Sequence, residues 1–169
     1  MKVIRLGALL GALAVSCADP PRPTDTGYVG TWRRANDRAA SIVAIVKTDA
    51  GYAFRWTKRS YVPDGTLKLV VDCGWDGRCI ETLEGVEQAR YDFRTWIHPD
   101  TGRLMVEGNE IRTVPERLEL HFIDELVVEP GGQVLWSYTA MKNGQTFEGG
   151  GRPMRSFRKV SDGVADPPR

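Results

Sequence analysis

Tyr52-Ala53-Phe54-Arg55-Trp56-Thr57 carries its three aromatic residues at alternate positions, with smaller or polar residues between them. Side chains of an extended strand point alternately to opposite faces, so this stretch predicts a β-strand with one apolar and one wetter face. The same period of two returns along the chain in both directions. Leu67, Leu69 and Val71 alternate with Lys68, Val70 and Asp72, and Tyr91, Phe93 and Thr95 with Arg90, Asp92 and Arg94. Leu118, Leu120 and Phe122 alternate with Glu119 and His121, and Val134, Trp136 and Tyr138 with Leu135, Ser137 and Thr139. Ile42 to Val46 is too rich in β-branched residues to prefer a helix. Helical spacing is confined to Arg33–Ala40 and Glu84–Arg90, each sufficient for one turn.

The connections agree with the strands. Asp49-Ala50-Gly51, Gly74 to Gly77, Pro99-Asp100-Thr101-Gly102, Pro130-Gly131-Gly132 and Asn143-Gly144 each lie between two strand-like runs and carry residues suited to tight reversals. Five hairpin signals in order describe an antiparallel up-and-down meander of about 8–10 strands. Closure into a barrel removes both exposed edges, so an all-β barrel is the expected fold; an open, two-layered sheet or β-sandwich is the alternative.

The chain begins differently. Lys2 and Arg5 precede an apolar stretch from Leu6 to Val15, too short to span a bilayer, and Ala14-Val15-Ser16 lead into Cys17. This is a bacterial export signal, and it resembles a lipobox, in which cleavage before the cysteine leaves a thiol that carries a diacylglycerol anchor. The position three before the cysteine holds Ala14 where that pattern usually has Leu, and an ordinary secretory cleavage also accepts Ala14 and Ser16. The resemblance implies a membrane-tethered lipoprotein with Cys17 lipidated, for which the outer membrane is the expected address because Ala18 rather than Asp follows the cysteine. Residues 1–16 then form the signal, 17–27 a Pro-rich tether reaching up to roughly 30 Å, 28–160 the folded domain, and 161–169 a disordered tail.

Composition narrows the partners. Lys2 and Arg5 are the charged residues of the signal, so its removal takes the net charge from +1 to −1. That balance argues against nucleic acid, whose phosphates require a basic face. After Cys17, the remaining thiols are Cys73 and Cys79, separated by Gly74-Trp75-Asp76-Gly77-Arg78. Across such a turn the two predict a disulfide of about 2 kcal/mol, because the ring is short. A redox pair or metal site is the weaker reading, since the spacing is not Cys-x-x-Cys and no His is near in sequence.

The folded region has a signature at its ends. Tyr28-Val29-Gly30-Thr31-Trp32 opens the meander, and Ser156-Phe157-Arg158-Lys159-Val160 closes it. A Gly-x-Trp first strand with a basic last strand resembles the lipocalin and lipocalin-like families. The later motif blocks of true lipocalins are not recognisable, so the resemblance is to a small bacterial lipocalin-like domain. It implies that Trp32, beside Gly30, closes one barrel end with Arg158 packed over its ring, or Arg155 in its place.

Chemistry is sparse. His98 and His121 are expected on the surface; no Gly-x-Ser-x-Gly or His-Glu-x-x-His pattern occurs, so neither an enzyme nor a metal or cofactor site is expected. Gly149-Gly150-Gly151 predicts a bulge or loop rather than a phosphate cradle. Asp124 and Glu125 interrupt an apolar run and must point to opposite faces, with Asp124 inward if alternation holds. An inward Asp124 could grip a cationic or hydroxylated ligand; a local kink would instead expose it. Tyr52, Phe54, Trp56, Tyr91, Phe93, Phe122, Trp136 and Tyr138 fall on the apolar sides of their strands and either fill the barrel or line a pocket for one small hydrophobic ligand. The functions left open are ligand carriage or an accessory role in an envelope complex, for which Trp75 and Trp96 are candidate contacts.

Overall fold

The computed structural model of the chain describes residues 27–35, 41–114 and 116–164, and for 147–154 the backbone alone. Cys17, the signal and the tether up to residue 26 lie outside the described residues, as do 165–169 of the expected tail. The ten strands are β1 (Gly30–Arg34), β2 (Ile42–Thr48), β3 (Gly51–Tyr61), β4 (Leu67–Cys73), β5 (Arg78–Glu81), β6 (Val86–Ile97), β7 (Leu104–Arg112), β8 (Leu118–Glu129), β9 (Gln133–Lys142) and β10 (Gln145–Ser161). Each pairs antiparallel with its neighbours in sequence, and β1 pairs with β10 to complete a closed barrel. The sandwich and open-sheet alternatives are therefore excluded.

All five turn signals are reversals in the structure, at the ends of β2, β4, β6, β8 and β9. The expected helical turn over Glu84–Arg90 is replaced by the start of β6. There Val86 to Arg90 pair with β5, and Ala89 and Arg90 also pair with β7, so two ladders outweigh a weak helical spacing. The other expected turn is β1 as far as Arg34, and 36–40 lie outside the described residues. In β10 the register shifts between Thr146 and Gly151, the place where the glycine run predicts a bulge.

The barrel is not of uniform width. β4 pairs with β3 only over Trp56 to Tyr61, and the β4–β5 hairpin turns back at Gly74–Gly77. Beyond that turn β3 meets β6 directly: the Tyr52 amide donates to Thr95 Oγ1 at 2.6 Å. A Cβ on Gly51 would collide with Thr95 there, so this seam requires glycine. The end where β1 begins is thus walled by eight strands, and β4 and β5 enter the wall between β3 and β6 only farther along. Eight strands leave an interior that side chains can just fill, whereas two more widen it.

The narrow end is filled. Tyr28, Trp32, Val43, Ile45, Leu104, Leu126 and Val134 are almost wholly buried in it. The Tyr28 hydroxyl lies 2.9 Å from the Gly102 carbonyl oxygen and 3.0 Å from that of Leu126, and accepts from the Leu104 amide at 3.1 Å. Trp32 Nε1 donates to the Tyr28 carbonyl at 2.9 Å. The cation over the Trp32 ring is Lys159, with Nζ 5.1 Å from the ring centroid, and this corrects the expectation of Arg158. Register gives the reason: Trp32 pairs with Lys159, which shares its face with buried Phe157, while Arg158 falls on the alternate, exposed face. Arg155 faces inward but lies farther along the lumen, opposite Trp136. Ser161 is the last residue of β10, and the Gly163 carbonyl beyond it accepts from Thr31 Oγ1 at 2.8 Å.

Candidate functional site: the barrel interior

In the wide half, the inward side chains of β3, β6, β7, β8, β9 and β10 enclose a cavity of about 170 Å³. Phe54, Trp56, Tyr91, Phe93, Phe122, Trp136 and Tyr138 line it, as the alternation predicts, and Phe157 joins them. Tyr52 does not: it packs edge-on against Tyr28 at 6.2 Å in the closed end. The other rings form a belt, with Phe54 5.8 Å from both Phe93 and Trp136, Trp136 5.6 Å from Phe157, and Tyr91 5.7 Å from Phe122. Such tilted and edge-to-face pairs hold the rings in fixed orientations without closing the space between them.

A polar network crosses this belt. Glu110 on β7 is 3% exposed, and its carboxylate accepts from Arg112 Nε at 2.7 Å and Arg112 Nη2 at 3.2 Å. The Tyr91 and Tyr138 hydroxyls also donate to it, at 2.9 and 2.6 Å. Burial raises the carboxyl pKa, but the Arg112 fork and the two phenol donors outweigh it, so Glu110 titrates below the ordinary glutamate value. Burial first, and then the Glu110 charge, push both tyrosines far above theirs, so they stay protonated donors. Arg112 is held ionised chiefly by its bonds to Glu110.

Asp124 faces inward, 5% exposed, with Trp136 Nε1 donating to its Oδ2 at 2.7 Å. Glu125 points outward to Arg103, 2.7 Å away, so the two adjacent carboxylates occupy separate faces. Asp124, Arg112 and Arg155 are the charged side chains on the described cavity wall.

Cys73 and Cys79 lie opposite each other on β4 and β5 and are joined as a disulfide. The bond closes the base of the short hairpin, and Cys73, Gly74 and Gly77 form part of the cavity wall. Gly77 has φ +75°, its carbonyl accepts from the Tyr91 amide at 2.9 Å, and a Cβ there would strike the Tyr91 carbonyl oxygen. The disulfide and this close approach fix the hairpin tip against β6.

The remaining candidates lie apart from the cavity. His98 sits in the β6–β7 turn, where its Nδ1 accepts from the Asp100 amide at 3.3 Å. His121 is on the outer face beside Glu107, 3.2 Å away. Trp96 faces outward under Arg94, whose guanidinium is 5.2 Å from the ring centroid, and half-buried Trp75 belongs to the Gly74–Gly77 turn. The central pair of the network, Glu110 and Arg112, is absent from the sequence-based candidates. Their signal was the inward set Leu104, Val106, Gly108, Glu110 and Arg112 at period two, in which charged residues hide the apolar face. Comparison with protein-family models, with curated proteins and with solved structures finds no match.

Proposed function

We propose that this chain is an exported lipoprotein, anchored through Cys17, whose lipocalin-like barrel binds a small, largely hydrophobic molecule in its interior. The cavity carries the reading: ring faces line it, while a few fixed polar groups are available to orient a ligand. Trp56, Trp136 and Tyr138 leave space between them, as a carrier requires. β1 begins at the filled, narrow end, so a tether leading into it would leave the opposite end for ligand entry.

A second reading, an accessory subunit of an envelope complex, draws on a different feature. Tyr61, Leu67 and Leu69 on the β3–β4 hairpin, Leu83 and Val86 on β5–β6, and Val114 after β7 are exposed large apolar residues at the wide end. Neighbouring hairpin tips joined by bonds such as Thr82 Oγ1 to the Leu69 carbonyl bring them together. Apolar surface of this kind suits a partner.

Native mass spectrometry of protein purified from the envelope separates the two. A bound small molecule, displaced on unfolding, supports the carrier. A stoichiometric protein partner with an empty barrel would favour the accessory role and overturn it.

A further inference from the structure

We propose that the cavity takes a planar carboxylate of one or two aromatic rings, with the carboxylate on Arg112 and the rings among Phe54, Phe93, Trp136 and Phe157; this rests on the barrel being a binding protein. Size sets the first limit. An apolar cavity of roughly 150 Å³ admits a benzene ring, so about 170 Å³ suits one or two fused rings better than a long acyl chain. The wall sets the shape. Interplanar angles of 75°, 54° and 42° between successive rings present both faces and edges, the arrangement that accepts another flat ring.

The head group follows from hydrogen-bond counting at Arg112. A guanidinium has five N–H donors in a planar fork, and Glu110 takes one from Nε and one from Nη2. Both hydrogens of Nη1 and the second of Nη2 remain, on an edge whose geometry matches a carboxylate. Glu110 is itself held by the Tyr91 and Tyr138 hydroxyls, so the guanidinium is positioned before any ligand arrives. Its side chain is 29% exposed against 4% for Glu110, which puts the charge at the mouth and the rings deeper.

The test is calorimetric titration of the mature protein with 2-naphthoate, 2-naphthamide and 2-naphthylmethylamine, which share one ring system and differ in charge. The expected result is naphthoate bound at least about ten-fold more tightly than the amide, with the amine weakest, as for a charge-assisted hydrogen bond. Replacing Glu110→Gln and Arg112→Gln together removes both charges and avoids stranding a buried ion. This pair should erase the preference while amide binding persists, and Arg112→Lys, which keeps charge without the fork, should weaken it partly. Equal or tighter binding of the amide or the amine, or a preference that survives in the paired variant, overturns the carboxylate assignment alone. Failure of all three compounds to bind overturns the aromatic-ring assignment too, while the binding-protein reading stands or falls with the native mass spectrometry.

Discussion

Trp32 on β1 and Lys159 on β10 are directly opposed across the seam that closes the barrel, with Lys159 Nζ 5.1 Å from the indole centroid. The two contribute unequally. Trp32 is 2% exposed and fills the eight-stranded end, whereas Lys159 also reaches Asp162, whose side chain is 92% exposed.

Trp32→Ala should therefore cost about 3–5 kcal/mol, the usual loss for a large aromatic removed from a core. Lys159→Ala should cost no more than about 1 kcal/mol, since one partner is a single cation-π contact and the other a solvated carboxylate. Urea unfolding followed by near-ultraviolet circular dichroism measures both. Equal losses would show that the ring does not carry the closed end.

Stability should depend on pH through Glu110. Its carboxyl is more acidic in the folded protein than its ordinary value of 4.5, so its contribution is complete above that value and is lost as pH falls through the lower folded one. Glu110→Gln should destabilise the protein by about 2 kcal/mol at neutral pH, below the roughly 3–5 kcal/mol of a fully buried pair because Arg112 is partly solvated. The difference between the two proteins should shrink as the pH is lowered below 4.5. A difference that grows on acidification would reverse the assigned direction.

Unreduced, unfolded protein should show no alkylation at Cys73 or Cys79, which are bonded to each other. Cys73→Ala should lower stability by about 2 kcal/mol without abolishing the fold, since the ring is short. Gly77→Ala tests the same wall by another route: it forces a side chain into φ +75° and against the Tyr91 carbonyl. It should cost about 1–3 kcal/mol and weaken ligand binding with the disulfide intact.

If Cys17 carries the anchor, Cys17→Ser should move the protein from the membrane to the soluble fraction or leave it unprocessed, as read by fractionation. Metabolic labelling with a fatty-acid analogue that persists in Cys17→Ser would remove Cys17 from that role.

The order of strands was legible because its causes are local. Alternation at Tyr52–Trp56, Tyr91–Thr95 and Val134–Tyr138 needs only neighbouring residues to declare itself, and so do turns such as Asn143-Gly144. Four of the five turn signals, those after β2, β4, β6 and β8, lie on the side of the barrel where β1 begins. The reversals at 62–66 and 82–85, on the other side, were not among the turns read from the sequence, although Pro63-Asp64-Gly65 carries a turn signal and the Gly65 amide donates to the Val62 carbonyl at 2.8 Å. The period of two also brought seven of eight aromatic candidates to the cavity; the local kink expected to expose Asp124 does not occur, and unbroken alternation puts it inside.

Sequence by itself thus determined an all-β antiparallel meander and favoured the Cys73–Cys79 bond, because each follows from neighbouring residues or short spacings, whereas closure over an open sheet or sandwich was decided by the pairing of β1 with β10. Only the tertiary structure decided that Lys159 rather than Arg158 covers Trp32, and that Tyr52 belongs to the plug rather than the pocket. It alone brought Glu110 and Arg112 together with Tyr91 and Tyr138 from three strands. Those outcomes depend on register summed around the barrel, on bulges such as that between Thr31 and Trp32, and on how far β4 and β5 extend between β3 and β6. A shift of one residue turns every side chain of a strand to the other face, and no local pattern records such a sum.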